Sequence, residues 1–178
     1  MSEYDALADD FSSIIESLPE RRLFGYSLEV VEGEIAGQNV LDLACGNGVF
    51  TRALKKRGAK RVVGVDVSEA MLAYANRDEE RDPLGIEYRL ADVADMGDIG
   101  QFDLITAFAL LHYAPSREAL ASMVQNIARN LRPGGRFTTC NMNVVDPTTW
   151  HNTSRWNDYP FGSVYPTGLC TTGHQCRR

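Results

Sequence analysis

Val40-Leu41-Asp42-Leu43-Ala44-Cys45-Gly46-Asn47-Gly48 is the stretch that decides the fold. A short apolar run carries one acid and then breaks into two closely spaced glycines. A second apolar run, Arg61-Val62-Val63-Gly64-Val65-Asp66, closes on a carboxylate. In an open parallel α/β sheet, the first strand ends in a glycine turn that lets the backbone approach a ligand closely. The second strand ends, about 20 residues later, in an acid within reach of ribose hydroxyls. The two runs together read as a nucleoside-holding unit.

The alternation continues outward from this unit. Strands are predicted over residues 39–44, 61–66, 86–90, 102–108 and 136–141. The strand at 102–108 is an apolar run of the kind buried on both faces of a parallel sheet. Helices are predicted from about 48 to 57, 68 to 75 and 115 to 131. Gly58 ends the first of these, Ser68 is a good N-cap for the second, and Arg132-Pro133-Gly134-Gly135 ends the third. Upstream, Tyr4, Leu7, Ala8, Phe11, Ile14 and Ile15 recur at helical spacing over 3–17. A second amphipathic helix is predicted over 21–36, with Leu23, Leu28, Val31 and Ile35 inward and Gly37 as C-cap. Parallel strands need crossover helices, so this series implies a doubly wound, mostly parallel, Rossmann-like α/β sheet of about five strands.

Composition narrows the function classes. A chain of 178 residues suffices for one domain with a sizeable core, and 44% hydrophobic with 24% charged residues is ordinary for a globular protein. A net charge of −6 argues against a nucleic-acid backbone as main partner. The basic cluster Lys55-Lys56-Arg57 with Lys60-Arg61 reads as cations at a helix C-terminus. No apolar run approaches the roughly 18 residues of a membrane span, and the start lacks signal-peptide character. Cys45, Cys140, Cys170 and Cys176 fit no zinc spacing, so no metal is expected and a reducing, cytoplasmic setting is the default.

Five pieces in this order resemble the class I S-adenosylmethionine-dependent methyltransferases, with the strongest likeness to small-molecule enzymes such as toxoflavin synthase-like proteins. The pieces are Val40–Gly48, Val62–Leu72, Ala91-Asp92-Val93, Phe102–Tyr113 and Leu131–Phe137. The resemblance implies S-adenosylmethionine as cofactor and a small-molecule methyl acceptor. It implies a helical lid over 1–37, a cofactor-binding core over 38–145 and an irregular segment over 146–178.

The resemblance also distributes roles. Gly46 and Gly48 clear space for the methionine end of the cofactor, and Asp42 anchors this region. Ala44 stands where the family usually has glycine. Asp66 accepts hydrogen bonds from the ribose hydroxyls, against the alternative of a helix-capping or solvated acid. Val67 and Met71 pack on the adenine, with plain core packing as the alternative for Met71. Asp92 accepts from the adenine amine and the Val93 N–H donates to the ring, with a turn-forming Asp as the alternative. Phe108 and Ala109 line the sulfonium region. His112 is the candidate catalytic base, against helix-start packing or a hydrogen-bonded loop histidine. Tyr4 on the lid touches the cofactor or, like Phe11, belongs to an apolar stripe.

The pattern departs from the family after Asn141. The family sheet ends in an antiparallel pair, strands six and seven, for which no apolar runs are visible here. Either the chain is truncated or frame-shifted, or its end is a divergent extension. The uncovered sheet edge is then a route to oligomerisation. The competing readings are a catalytically impaired cofactor-binding domain, an NAD-dependent oxidoreductase and a partner-binding domain. The oxidoreductase fingerprint needs a third glycine where Thr51 stands.

Overall fold

The structure, a computed structural model, describes Val31 and residues 34–141. The elements run β1 (Asn39–Leu43), α1 (Val49–Lys56), β2 (Arg61–Asp66), α2 (Glu69–Arg81), β3 (Glu87–Leu90), β4 (Phe102–Phe108), a 3-10 turn (Leu111–Tyr113), α3 (Arg117–Asn130) and β5 (Leu131–Cys140). The five strands form one sheet in the order β3-β2-β1-β4-β5, and every pairing is parallel. The chain walks outward from β1 to β3 and then crosses back to β4. Its topological switch point therefore lies between β1 and β4, where ligands bind in open α/β sheets.

Strand alternation builds both layers of the core. Leu41, Leu43, Val63, Val65, Ile105 and Ala107 face one way and pack with Met123 and Ile127 of α3. Val40, Val62 and Leu104 face the other way and pack with Phe50 and Leu54 of α1. Burial on both faces explains the near-continuous apolar character of β1, β2 and β4. Polar side chains cap two helices, Ser68 as the sequence predicts. Ser68 Oγ accepts from the Met71 N–H at 3.2 Å, and Ser116 Oγ accepts from the Ala119 N–H at 3.1 Å.

Some boundaries differ from the sequence expectation. The second core helix runs to Arg81 rather than to about 75. Its added turns carry no apolar stripe, but Arg77, Glu79, Glu80 and Arg81 are good helix formers and polar contacts hold the exit. Glu79 accepts from the N–H groups of Leu84, Gly85 and Ile86. Arg52 of α1 also clasps Glu79 and Asp82 at 2.6 and 2.7 Å. β5 starts at Leu131, not 136, because Leu131 already pairs with Phe102; residues 132–135 bulge before pairing resumes at Arg136. Of the helix predicted over 21–36, Glu34 and Ile35 are not helical and Ala36 lies in a turn. Gly37 there has φ 76°, and its N–H donates to the Gly58 carbonyl at 2.8 Å. The helix at 3–17, Tyr4, Phe11 and the segment 146–178 lie outside the described residues. Among the described residues, no helix is long and apolar enough to cross a membrane.

Candidate functional site

Register brings the strand ends level. Leu43 pairs with Val65 on one side and Ala107 on the other, and Asp66 pairs with Leu90. The turn after β1, Asp66, the loop after β3 and the end of β4 consequently share the carboxyl edge of the sheet. The backbone is strained on both sides of the switch point. Ala44, one residue past β1, has φ 57°, and Ala109, one residue past β4, has φ 54°. A left-handed alanine costs about 1–2 kcal/mol and is found where function over-determines the backbone. The position of Ala44 also explains why glycine suits it.

Gly46 and Gly48 continue the turn with φ 54° and 80°. Gly48 caps α1. A Cβ there would sit 2.3 Å from the Tyr88 hydroxyl, and one on Gly64 would sit 2.8 Å from the Tyr88 ring. Tyr88 of β3 thus lies across β2 and props the turn from below. Its hydroxyl is buried without a hydrogen-bond partner among the described residues, and burial pushes its pKa up.

Asp42 sits beneath the same turn at 2% exposure. Its two carboxylate oxygens accept from the hydroxyls of Thr51 on α1, at 2.6 Å, and Thr106 on β4, at 2.7 Å. Burial raises its pKa from 3.8 to about 6 against the pull of these two bonds. The acid therefore locks β1, α1 and β4 together directly under the glycines. Cys45 is buried beside it, and burial together with Asp42 and Asp66 holds its thiol protonated.

Asp66 is almost enclosed. One oxygen accepts from the Gly46 N–H at 2.7 Å and the other from the Ser68 N–H at 2.9 Å. The carboxylate thus bridges the glycine turn and the start of α2. Val67, next to it, is 53% exposed, an apolar surface beside a nucleoside-type acceptor. Met71 is 2% exposed; of its two roles, that enclosure fits core packing. Asp92 lies on the surface in the loop after β3, and its Oδ1 accepts from the Ala94 N–H at 2.8 Å. The turn-forming role is thus present. Val93 is buried.

Asn126 and Asn130 are site-supporting residues that the sequence reading missed. The Asn126 amide donates to the carbonyls of Val93 and Ala94, at 2.9 and 2.7 Å. Asn130 donates to Gly97 at 2.7 Å and accepts from Ile99 at 2.8 Å. Both lie on the buried stripe of α3 with Met123 and Ile127. Two asparagines at i, i+4 within an apolar stripe are the signal that marks them.

Beyond β4, Phe108 packs edge-to-face on Phe50 with centroids 4.8 Å apart. His112 follows on the 3-10 turn. Its Nε2 is buried without a partner among the described residues, and burial lowers its pKa against the contact with Asn141. Burial therefore favours the neutral ring.

A family model described as "Methyltransferase domain" matches residues 40–135. The chain belongs to the class I S-adenosylmethionine-dependent methyltransferase family. Similar family members include ubiquinone biosynthesis O-methyltransferase of Coxiella burnetii (strain Dugway 5J108-111), 37% identical over 121 residues, covering 65% of this chain and 50% of the relative. The enzyme of the same name from Pseudomonas aeruginosa (strain LESB58) is 34% identical over 113 residues, covering 61% and 47%. The chain thus spans about half the length of the curated relatives it matches. A crystal structure of an S-adenosylmethionine-dependent methyltransferase from Mesorhizobium loti superposes with TM-score 0.57 at 32% identity, covering 65% of this chain and 51% of the other. The DhpI–SAM–HEP complex superposes with TM-score 0.63 at 25% identity, covering 79% and 63%.

Proposed function

We propose that this methyltransferase-family chain binds S-adenosylmethionine at the carboxyl edge of β1, β2 and β3 and transfers its methyl group to a small-molecule acceptor. The observation that carries the reading is the convergence on one sheet edge of the left-handed turn at Ala44–Gly48, the Asp66 carboxylate and the Asp92 loop. The donor set suits the cofactor. Asp66 sets a carboxylate, the group suited to vicinal hydroxyls, at the end of β2, Asp92 lies exposed in the loop after β3 for an adenine amine, and Val67 offers apolar surface next to Asp66. A side chain at Gly46 would meet open space, so the glycine is there for its backbone conformation and for approach.

When bound, the cofactor supplies a methyl group activated by a sulfonium centre. The chain's own residues do the rest. Gly46 leaves open space beside the turn, Gly48 makes way for Tyr88 beneath it, and Asp42 keeps that turn in place. Phe108 and Ala109 wall off the end of β4, where exclusion of water and alignment of the acceptor matter more than bond chemistry. His112 accepts the acceptor's proton at Nε2. The relatives named as O-methyltransferases favour a hydroxyl acceptor. The core is assigned to 38–145, Tyr4 to the lid over 1–37, and the cell compartment to the cytoplasm.

Calorimetry with S-adenosylmethionine, S-adenosylhomocysteine and NAD tests the reading. Binding of the first two and not the third is expected. Thr51 is buried and hydrogen-bonded where a dinucleotide fingerprint requires glycine. NAD binding alone would overturn the proposal. Binding without S-adenosylhomocysteine release, across a panel of phenols, alcohols and amines, would favour the second reading, a cofactor-binding domain that is catalytically impaired. β5 is an edge strand among the described residues, which is the observation behind that reading.

A further inference from the structure

We propose that Asn141 is a positioning residue that holds His112 as the Nδ1–H tautomer, leaving the Nε2 lone pair for the acceptor's proton; this rests on the reading of His112 as the base. The argument starts from the amide of Asn141. Its Oδ1 accepts from the Leu111 N–H at 2.9 Å, and its Nδ2 donates to Thr139 Oγ1 at 2.9 Å. Thr139 spends its own hydrogen on the Ala107 carbonyl at 2.7 Å, so its lone pairs are what face the amide. Turning the amide over would set an NH2 group against the Leu111 N–H, donor against donor. The backbone of the 3-10 turn thus decides which end of Asn141 is oxygen.

That assignment propagates to the imidazole. The same Oδ1 lies 3.5 Å from His112 Nδ1. A carbonyl oxygen only accepts, so the hydrogen of that long contact sits on Nδ1. A neutral imidazole carries one hydrogen, so Nε2 holds the lone pair. Nε2 is the atom with no partner among the described residues and no exposure to solvent. Asn141 is reached from the sheet through Thr139 and Ala107, and Ala107 lies in β4, paired with Thr139 of β5, two residues before the strained Ala109. The relay therefore runs from the rigid strand pair β4–β5 to the histidine.

The chain has three histidines, so nitrogen-15 correlation spectra of the imidazole rings are simple to assign, with His112→Gln identifying the signal. The expected spectrum of the full chain near neutral pH shows a protonated, pyrrole-type Nδ1 and a pyridine-type Nε2 for His112. Asn141→Ala is expected to shift the ring toward the Nε2–H form that free histidine side chains favour. Asn141→Asp keeps an oxygen toward Leu111 and His112 and is expected to retain the Nδ1–H form. A pyridine-type Nδ1 in the parent protein overturns the proposal, as does an Asn141→Ala spectrum unchanged from the parent. If Asn141→Ala fails to fold, the parent and Asn141→Asp spectra decide: loss of the Nδ1–H form in either one overturns the proposal. The base reading fails separately: His112→Gln releasing S-adenosylhomocysteine at the parent rate would defeat it while leaving the tautomer assignment standing.

Discussion

Replacing Asp42 with Asn probes the polar layer under the glycine turn. The carboxyl is 2% exposed, and its pKa rises from 3.8 to about 6. Burial is the main cause, the Thr51 and Thr106 hydroxyls oppose it, and the Asp66 charge adds to it. Because the folded value lies above the unfolded one, the native state holds this proton more tightly. Stability from this group is therefore full below about pH 4, falls as pH rises through about 6, and is level above. At pH 7 the ionised carboxyl costs the fold about 3 kcal/mol relative to its neutral form. Asn resembles that neutral form. Its carbonyl accepts one hydroxyl and its NH2 donates to the other, whose hydrogen has an alternative partner: Thr106 Oγ1 lies 3.5 Å from the Leu41 carbonyl.

Asp42→Asn is thus expected to be more stable than the parent by up to about 3 kcal/mol at pH 7 and equal to it near pH 4. Urea denaturation across that range measures the gap and its convergence. A variant less stable at neutral pH, or a gap independent of pH, would refute the reasoning. The same variant is expected to bind S-adenosylmethionine more weakly, since the negative charge under the turn is lost, which is the usual exchange of function for stability.

Asp66→Ala is expected to weaken S-adenosylmethionine binding by about 1–3 kcal/mol in calorimetry, the size of lost hydrogen bonds to a charged acceptor; unchanged affinity would end the ribose assignment. Gly48→Ala is expected to destabilise by about 2–4 kcal/mol in urea melts, because it combines a left-handed backbone with a Cβ placed 2.3 Å from the Tyr88 hydroxyl. Tyr88→Phe removes a buried hydroxyl that has no partner among the described residues, so its melting temperature is expected to match or exceed that of the parent. Asn126→Ala strips two loop carbonyls of their donor and is expected to cost about 2 kcal/mol of stability, with weaker cofactor binding by calorimetry.

The sheet was legible because its signals are local and redundant. The bounds of β2 and β4 follow directly from apolar runs with no competing pattern. Ser68 and Ser116 mark helix starts through their side-chain chemistry. The tail of α2 was harder to see because polar contacts rather than an apolar stripe hold it. β5 was misjudged because Pro133 and two glycines read as a turn, whereas Leu131 pairs before the bulge they form. Within the site, Asp66 and the glycines follow from spacing. The roles of Thr106, Tyr88, Asn126 and Asn141 do not, because each depends on a partner from a distant strand or loop.

Tyr88, Gly64 and Gly48 amount to a single trait spelled at three separated places. A broad ring on the edge strand fits only because two other strand or turn positions carry hydrogen instead of carbon. Chimeras exchanging β3 with a relative should therefore succeed or fail according to whether the incoming residue at 88 respects that vacancy. A lineage that widened either glycine would first have to shrink the tyrosine.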